Sequence, residues 1–372
     1  MPRKYKLFAN RFFIIINIIT VIFFLLACAA PYLNPESWWF ISLFGLGFAF
    51  LFILLILFTL FWIIFKPRYV VISLIPLLIG WKSISVFFAI SSTAKFNYNK
   101  PENVLRICSW NVARFVEWRK NNNKGSQTRL RMMDLIGQQN ADVLCLQEFF
   151  HSTDSIYYNN LNYVMKKLGY KYFFYSWDDD GWNQWVGQAI FSRYPIIDSG
   201  LVRYPRPGMP EALIQADIIF NKDTVRLYTT HLQSVQFKKK DYQSIEEIKM
   251  TDSLLENSKN IFSKLKRAIV FRSRQAGIVR EITSNTPYPY IVTGDFNDVP
   301  NSYTYFTIRQ NLQDAFLKKG FGIGRTYSGL SPTLRIDYIL ASKTFAVQQF
   351  NRVIKNYSDH YMMVADLKLI AQ

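Results

Sequence analysis

The feature that most constrains this chain is the near absence of acidic residues from its first hundred positions. Up to Lys100 the sequence holds nine Lys and Arg residues but a single acid, Glu36. Almost everything else in this region is apolar, and a helix needs ~20 apolar residues to cross a bilayer. The region therefore predicts membrane-spanning helices and argues against a fully soluble protein.

Three apolar runs in this region are long enough to span a bilayer. They cover residues 12–30, 37–65 and 69–90, and together they predict an all-α transmembrane region over residues 1–95. The third run contains Pro76, Gly80 and Lys82, which membrane helices tolerate at kinks, interfaces and polar cavities. A re-entrant or interfacial helix is the alternative for this third run.

The basic residues predict the orientation of these runs. Four of them precede the first run, Lys66 and Arg68 follow the second, and residues 31–36 between the two runs contain none. Because basic loops stay in the cytoplasm, three crossings would place everything after about residue 91 outside it. Leu25–Cys28 also resembles a lipoprotein cleavage site with lipid added at Cys28, and that alternative leaves the later domain on the same side.

From residue 101 to residue 372 the composition is that of a globular domain with a net charge of +10. A basic domain beside a membrane suits polyanions, phosphate esters or anionic lipid headgroups, although ordinary solubility is the simpler explanation. A linker of about ten residues, 91–100, separates the third apolar run from the first predicted strand. Fully extended, such a linker reaches ~35 Å, so the domain is expected near the lipid surface.

Short apolar runs in this domain predict strands, and several alternate with amphipathic helical patterns. The predicted strands are residues 104–110, 143–147, 188–191, 212–220, 225–230, 290–293, 336–340 and 362–369. The predicted helices are residues 127–139, 155–168 and 262–282. Strands mixed with helices favour a layered α/β domain with two packed sheets. The polar residues 237–265 predict a helical insertion or a mobile loop, and residues 175–185 predict a solvated surface loop or a substrate-side loop.

Polar side chains lie at the ends of these apolar runs in a repeated way. The residues concerned are Asn111, Glu148, His231, Asp295, Asn297, Asp337, Asp359 and His360. Each one alone has an ordinary interpretation as a turn residue or a surface group. Strand ends, however, are where a site can be assembled from distant parts of a chain. The set offers hard oxygen ligands, which suit Mg²⁺, Mn²⁺ or Ca²⁺ rather than Zn²⁺.

Five motifs in this domain resemble those of the endonuclease/exonuclease/phosphatase superfamily, whose members include deoxyribonuclease I. They are Ser-Trp-Asn-Val at 109–112, Leu-Gln-Glu at 146–148, Gly-Asp-Phe-Asn at 294–297, Arg-Ile-Asp-Tyr-Ile at 335–339 and Ser-Asp-His at 358–360. They occur in the family order and span nearly all of residues 103–370. The resemblance implies a four-layer α/β sandwich of two packed mixed sheets, with the site at one edge of the sheets.

The resemblance also implies roles for the polar residues. Asn111 and Glu148 would bind Mg²⁺ or Mn²⁺, with Asp359 nearby. Asp295 and Asn297 would orient the attacking water and a phosphate oxygen, and they are also candidate ligands of a second metal.

The remaining three residues form the acid–base part of the implied site. His360 would accept a proton or stabilise the phosphoryl oxygens, and Asp337 would hold it in its working tautomer. His231, in Thr-His-Leu, matches the second His of the nuclease and sphingomyelinase branches, where it would protonate the leaving oxygen or bind the phosphate. The tyrosine that apurinic endonucleases place in the site has no secure match, which disfavours abasic-site repair.

The leading functional interpretation is a membrane-anchored, Mg²⁺- or Mn²⁺-dependent phosphoesterase. It would hydrolyse phosphoester or pyrophosphate bonds of a lipid-linked or membrane-proximal substrate, with the lipid bilayer as its partner. The arrangement resembles bacterial members of the superfamily in the cytoplasmic membrane, with the N-terminus cytoplasmic and the catalytic domain extracytoplasmic. An extracytoplasmic nuclease acting on DNA or RNA is the first alternative, and a catalytically degenerate binding module is the second.

The cysteines give a separate prediction about strand pairing. Cys108 and Cys145 each lie three residues before a proposed metal ligand, Asn111 and Glu148. If the two strands are parallel and the ligands are level, the cysteines are also level and both turn away from the ligand face. Directly paired strand positions have poor disulfide geometry, so two buried free thiols are expected.

Overall fold

The computed structural model describes residues 3–91, 95–120, 127–205, 211–237 and 254–370. The chain divides into two compact units. The helical unit comprises Met1–Phe88, Val235–Arg274 and Asp298–Thr307. The sheet unit comprises Ala89–Ser234, Gln275–Asn297 and Ile308–Gln372. Two segments from the later part of the sequence therefore group with the N-terminal helices, an interleaving that the predicted domains 1–95 and 101–372 do not contain.

The N-terminal part of the helical unit is built from consecutive helices. They are α1 (Arg3–Ala29), α2 (Pro35–Leu46), α3 (Phe48–Phe65), α4 (Val70–Ile79) and α5 (Trp81–Phe87). Within the described residues, the stretches Asn10–Tyr32 and Phe48–Phe65 are each long and apolar enough to cross a membrane. The stretches Pro67–Ile79 and Trp81–Phe87 meet that criterion only as a pair bent by 66°. The bent pair leaves both the spanning and the re-entrant interpretation of the third run open.

The prediction of one span over residues 37–65 is wrong in its first part. The chain is divided at Gly47 into α2, of 12 residues, and α3, of 18 residues. A continuous helix over residues 37–65 would be about 44 Å long, whereas the hydrocarbon core of a bilayer is ~30 Å thick. Of these two helices, α3 alone meets the length requirement.

A buried polar pair joins α1 to α4. The side chains of Asn17 and Ser73 exchange two hydrogen bonds, of 2.9 and 3.1 Å, and both are fully buried. Hydrogen bonds of this kind are typical of helix association in membranes. Small residues add close packing, since a Cβ atom at Gly80 would lie 2.6 Å from the ring of Phe24.

The remaining elements belong mainly to the sheet unit. The strands are β1 (Ala89–Ile90), β2 (Val104–Asn111), β3 (Val143–Ser152), β4 (Tyr172–Tyr175), β5 (Asp179–Gly181), β6 (Gln184–Ser192), β7 (Ile196–Arg203), β8 (Ala212–Phe220), β9 (Asp223–His231), β10 (Tyr290–Asp295), β11 (Gln313–Asp314), β12 (Phe321–Gly322), β13 (Asp337–Ala341), β14 (Phe345–Val353) and β15 (Met362–Leu369). The helices are α6 (Thr128–Gln138), α7 (Asn160–Lys167), α8 (Leu254–Ser284), α9 (Tyr303–Arg309) and α10 (Ala315–Lys319).

Two mixed sheets form the centre of the sheet unit. Among the described residues, one sheet has seven strands in the order β14-β15-β2-β3-β6-β4, with β5 paired to β6. The other has six strands in the order β11-β13-β10-β9-β8-β7. The pairs β2–β3 and β9–β10 are parallel, and each sheet also contains antiparallel pairs.

Hydrophobic side chains separate the layers. Residues such as Ile107 and Leu227 form a core between the two sheets. A second cluster, which includes Leu144 and Ile136, packs the outer face of the seven-stranded sheet against α6 and α7. On the outer face of the six-stranded sheet, the hydroxyl groups of Tyr228 and Thr286 are hydrogen-bonded at 2.6 Å, and Thr286 lies just beyond the end of α8. The predicted fold class, two packed mixed sheets between helices and preceded by an all-helical region, is confirmed.

The sequence patterns locate the central strands better than the edge strands. The predicted strands 212–220 and 362–369 coincide with β8 and β15, and the other six overlap observed strands. The long strands β7 and β14 were not predicted, because each lies at an edge of its sheet and is too exposed to show an apolar run. The predicted helix 155–168 begins only at Asn160, where Asn159 caps it. Of the proposed insertion 237–265, residues 238–253 lie outside the described residues, and from Leu254 the chain is helical.

The chain enters the sheet unit directly after the last N-terminal helix. Phe88 alone separates α5 from β1, and β1 pairs with β12. The predicted linker at residues 91–100 therefore follows a short strand, and its first residue is held because the Ser91 N–H donates to the carbonyl oxygen of Gly320 at 3.1 Å. Its last part is also held, because the guanidinium of Arg106 donates to the carbonyl oxygens of Asn97 and Tyr98 at 2.7 and 2.8 Å.

Cys108 and Cys145 are free and fully buried, as predicted, but the predicted alignment is wrong. Strands β2 and β3 pair Cys108 with Leu144 and Ser109 with Cys145. The offset of one residue turns the two thiols to opposite faces of the sheet, so Cys145 lies between the sheets and Cys108 lies under the helices. Burial raises the pKa of both thiols, that of Cys145 to about 12.

Replacing Gly294 should destabilise the sheet unit. Gly294 has φ +130°, and a Cβ atom there would lie 1.9 Å from the carbonyl oxygen of Thr230. We expect Gly294→Ala to lower the free energy of unfolding by about 3 kcal/mol in denaturant titrations. Gly277, in α8, has no atom within 4 Å of a built Cβ, so Gly277→Ala should be neutral or stabilising by up to ~1 kcal/mol. Equal stability of Gly294→Ala and Gly277→Ala would contradict the proposed steric role of Gly294.

Candidate active site

Three of the predicted site residues lie side by side on the six-stranded sheet. The parallel pair β9–β10 places His231 opposite Asp295, and the antiparallel pair β10–β13 places Asp295 opposite Asp337. The alignment follows from where each strand begins or ends, since β9 and β10 end at their site residues and β13 begins at its own. The ends of these strands thus bring the three residues together, as the sequence predicts.

The seven-stranded sheet supplies Asn111 and Glu148 through an irregularity in β3. Asn111 pairs with Gln147 rather than with Glu148, and the pairing of β3 with β6 shifts between Leu146 and Phe149. Glu148 has φ +50° at this β-bulge. Strand alternation alone would turn Glu148 toward the outer hydrophobic cluster with Leu146, but a bulge re-aims a side chain. The Nδ2 atom of Asn111 donates to Glu148 Oε1 at 3.1 Å.

Asp295 lies at the centre of the site. Its carboxylate is 1% exposed and accepts a hydrogen bond from Asn111 Nδ2 at 3.1 Å. The Nε2 atoms of His231 and His360 each lie 3.6 Å from Asp295 Oδ2. The structure therefore brings together six of the eight predicted residues: Asn111, Glu148, His231, Asp295, Asp337 and His360.

His360 and Asp337 form a buried pair. Asp337 lies 3.0 and 3.1 Å from His360 Nδ1 through its two oxygens, which leaves Nε2 directed at Asp295. Burial by itself lowers the pKa of His360, but the charges of Asp337 and Asp295 outweigh it and raise that pKa to about 10. Burial and Asp295 raise the pKa of Asp337 to about 6 against the lowering effect of His360. The pair therefore holds a proton on the imidazole.

Asn297 lies beside this group but directs its side chain elsewhere. Its backbone N–H donates to Asp295 Oδ1 at 2.8 Å, and its side-chain Nδ2 donates to the carbonyl oxygen of Leu232 at 2.9 Å. Its φ of +52° is unusual for a residue other than glycine. Asn297 therefore orients Asp295 through the main chain.

Asp359 is also outside the central group. Its carboxylate accepts a hydrogen bond from the Ser358 hydroxyl at 3.2 Å. Asp359 lines a pocket of about 640 Å³. The other lining residues are Ala113, Val116, Ser328, Asn356, Tyr357, Ser358 and Tyr361. The pocket adjoins the site, because Ser358 also donates to the carbonyl oxygen of Asn111 at 2.9 Å.

Two further residues support the site without having been predicted. The ring of Tyr327 lies 5.0 Å from the ring of His360, and the two residues form an isolated antiparallel β-bridge. No sequence pattern marks Tyr327, since it lies outside the regular strands and helices. Gln147, next to Glu148, donates to Thr229 Oγ1 of the other sheet at 2.8 Å. The sequence shows Gln147 within the motif Leu-Gln-Glu, but the direction of its side chain depends on the bulge in β3.

The acid- and tryptophan-rich residues 175–185 form a β-hairpin rather than a loop. Asp178 is buried and accepts a hydrogen bond from Arg203 at 2.6 Å, whereas Asp180 pairs with Arg114 at 2.8 Å. Trp182, at the tip, is 87% exposed. Two acids of this stretch thus pair with arginines, Asp179 accepts a hydrogen bond from the Gly181 N–H at 2.9 Å, and none of the three is part of the central group.

The donor set fits a hard divalent cation. Glu148 and Asp295 each place a carboxylate oxygen 3.1 Å from Nδ2 of Asn111, so two carboxylate oxygens converge on this amide. Oδ1 of Asn111 accepts a hydrogen bond from the Ala113 N–H at 3.1 Å, and a half-turn of the amide would direct this oxygen toward the carboxylates as a third ligand. Carboxylate and amide oxygens are the ligands that Mg²⁺ and Ca²⁺ prefer. Asp295, Asp337 and His360 also hold one potential ligand atom each within 4.8 Å of one another. Since Asp337 hydrogen-bonds Nδ1 of His360, the Asn111, Glu148 and Asp295 set is the better cation site.

The family comparison agrees with this geometry. A family model described as the Endonuclease/Exonuclease/phosphatase family matches residues 108–360, more than half of the chain. The chain belongs to this family. Its members are generally hydrolases that act on phosphoester bonds and use divalent metals. A second model, described as a domain of unknown function (DUF8431), matches residues 10–87. A search of curated proteins finds no match.

Solved structures of the same fold share little sequence with this family member. An endonuclease/exonuclease/phosphatase from Bacteroides vulgatus is 18% identical, with 72% of this chain and 99% of that chain covered, at a TM-score of 0.51. The human Nocturnin catalytic domain with a bound sulfate anion is 20% identical, with 72% and 93% covered, at 0.50. Humanized D. rerio TDP2 with 14 mutations is 20% identical, with 71% and 99% covered, at 0.50. These likenesses establish the fold.

His360 and His151 should titrate very differently. In chelator, His360 should keep its proton at neutral pH, because neighbouring carboxylates raise its pKa to about 10. His151 should stay neutral, because burial lowers its pKa to about 4. Asp337→Asn removes a negative charge and should lower the pKa of His360. NMR of isotope-labelled histidine measures both pKa values, and titration of His360 near its ordinary value in the unmodified protein would contradict the assignment.

Proposed function

We propose that this protein is a membrane-anchored phosphoesterase that hydrolyses a phosphoester or pyrophosphate bond in a membrane-borne substrate. The observation that carries the proposal is the convergence of Asn111, Glu148 and Asp295 beside the Asp337–His360 pair. Together these groups can position a cation, a phosphoryl group and an attacking water. The complete set also argues against a catalytically degenerate binding module.

The proposed chemistry assigns a task to each side chain, and Asp295 has two. Asn111, Glu148 and Asp295 would hold Mg²⁺ or Mn²⁺, which offsets negative charge on the phosphoryl oxygens when bound. Protonated His360 donates from Nε2 to a phosphoryl oxygen, and Asp337 fixes the imidazole for that role.

Proton transfer is assigned to Asp295 and His231. Asp295 accepts the proton of the attacking water, with Asn297 orienting its carboxylate through the main chain. His231, which lies 3.9 Å from Glu148 Oε1, donates a proton to the leaving oxygen. Asp359 lines the adjoining pocket, where it contacts the substrate or its hydrated cation.

The attachment of the sheet unit favours a substrate in the membrane. A one-residue connection between α5 and β1 leaves the sheet unit little freedom to leave the lipid surface. Tethering of this kind raises the effective concentration of a lipid-borne substrate far more than that of a soluble polymer. The substrate class proposed is therefore a lipid phosphate or pyrophosphate.

Basic side chains of α8 support the same conclusion. Lys266 lies 5.2 Å from the ring centre of Trp39, and Arg274 pairs with Glu36 at 3.1 Å, both at the start of α2. Tryptophan at a helix end is typical of the membrane–water interface, where basic groups meet anionic headgroups.

The proposed location is the bacterial cytoplasmic membrane, with the sheet unit outside the cytoplasm. In this arrangement α1 and α3 cross the bilayer, and the bent pair α4–α5 makes the third crossing. The charge of +10 over residues 101–372 keeps a second candidate open, a nuclease acting on DNA or RNA.

The metal dependence can be tested on the purified protein. Glu148→Ala and His360→Ala should each lower kcat by about 10²-fold or more, because one removes a proposed ligand and the other a proposed phosphoryl contact. Chelator should abolish turnover, and Mg²⁺ or Mn²⁺ should restore it. Asn285→Ala, at an exposed side chain that hydrogen-bonds its own helix, is the control. Full turnover in chelator or in either folded active-site variant would refute the assignment.

The substrate class can be tested with full-length protein in liposomes. Lipid phosphates or pyrophosphates in the vesicles should be hydrolysed faster than free DNA at matched phosphate concentration. The physical reason is the short tether between the membrane helices and the sheet unit. Robust DNA cleavage with no lipid turnover would favour the nuclease candidate instead.

The orientation can be tested with fusions in a bacterial host. A reporter that is active only outside the cytoplasm should be active when fused after the sheet unit and inactive when fused near Arg68. The reason is the basic character of the segment around Lys66 and Arg68. The reverse pattern would exclude the proposed topology.

A further inference from the structure

We propose that Asn301 is a positioning residue for the active site, held in place by the membrane helices. This inference rests on the proposed phosphoesterase function. It starts from the division of the chain directly after the site, where Asn297 belongs to the sheet unit and Asp298–Thr307 belongs to the helical unit. Whatever fixes Asp298–Thr307 therefore also limits where Asn297 and Asp295 can lie.

The turn that carries these residues needs support on both sides. Asn297 has φ +52°, a conformation that costs free energy in any residue other than glycine and persists only where its surroundings impose it. On the sheet side, the hydrogen bonds to Asp295 and to Leu232 provide this support. The support on the other side has to come from the residues after Asn297.

Asn301 ties this segment to the N-terminal helices. Its side chain is 1% exposed, and Nδ2 donates to the carbonyl oxygen of Ala27 at 2.9 Å. Ala27 lies in the last turn of α1, where carbonyl oxygens lack partners within the helix. Gly45 of α2 closes the contact, because a Cβ atom there would lie 2.7 Å from the carbonyl oxygen of Asn301.

The two ends of the segment are fixed as well. The Oδ2 atom of Asp298 accepts hydrogen bonds from Thr304 Oγ1 at 2.7 Å and from Arg272 of α8 at 3.4 Å. At the far end, the ring of Phe306 packs against the ring of Tyr32 at 5.6 Å. The segment thus follows the catalytic turn directly in the chain and makes these contacts inside the helical unit.

The expected consequence is on turnover rather than on substrate binding. Asp295 is joined to Asn297 by a 2.8 Å hydrogen bond, so a shift of Asp298 moves both residues. A displacement of ~1 Å at reacting groups can cost about 10²-fold in rate. None of the contacts of Asn301 described above involves the pocket or the site side chains, so KM should change little.

The experiment uses the full-length protein in detergent with a soluble substrate, bis(p-nitrophenyl) phosphate, so that lipid specificity plays no part. Asn301→Ala removes the hydrogen bond, and Gly45→Ala forces the segment away while adding a better helix former. We expect each to lower kcat about 10-fold, to leave KM within about twofold, and to weaken Mn²⁺ binding measured by calorimetry. The matched controls, Asn285→Ala and Gly277→Ala, should retain the parent values.

The outcomes separate this inference from the proposed function. Parent kcat and Mn²⁺ affinity in both Asn301→Ala and Gly45→Ala would overturn the positioning role while leaving the phosphoesterase intact. An unmodified protein that neither binds Mn²⁺ nor cleaves the diester would overturn both. If Asn301→Ala does not fold, the kcat and Mn²⁺ affinity of Gly45→Ala decide whether Asn301 has a positioning role. The unfolding temperatures of Gly45→Ala and Gly277→Ala are compared to establish that Gly45→Ala is folded.

Discussion

The carboxylate of Asp295 is the group around which the rest of the site is arranged. A charge that is 1% exposed is strongly unfavourable unless partners compensate it. Its partners come from both sheets: the amide of Asn111 on one side, and His231 and His360 on the others. The two sheets must therefore meet with their strand ends at the same level. The same requirement makes the position the candidate cation site, because a divalent ion compensates clustered carboxylates most directly.

Register is the means by which the fold meets this requirement. One hydrogen-bonded row places His231, Asp295 and Asp337 on adjacent strands, and a slip of one residue would turn each side chain to the other face. In the opposite sheet the regular register would misdirect Glu148, and the bulge in β3 corrects it. The Gly294 position belongs to the same arrangement, since its close approach to Thr230 allows β10 and β9 to end together.

The helical unit contains more than the apolar N-terminal helices. It contains the segment that follows the catalytic turn, and the chain passes between the two units at five points, one of them directly after Phe88. An anchored enzyme with a long flexible tether could act on distant substrates, whereas one with a one-residue tether is restricted to what the membrane presents. The family fold thus acquires its proposed specificity from how it is attached rather than from its catalytic groups.

The sequence by itself determined the fold class, the apolar N-terminal helices and the family, and it proposed the site residues. Apolar runs mark buried strands and helices, and five short motifs in order mark the family, because both signals are local in the chain. Tertiary structure decided what depends on pairing between distant segments: the exposed edge strands β7 and β14, the offset of Cys108 from Cys145, and the bulge that re-aims Glu148. It also decided that Asp359 and the Asn297 side chain lie outside the central group, since no local pattern records where a side chain points once two sheets pack.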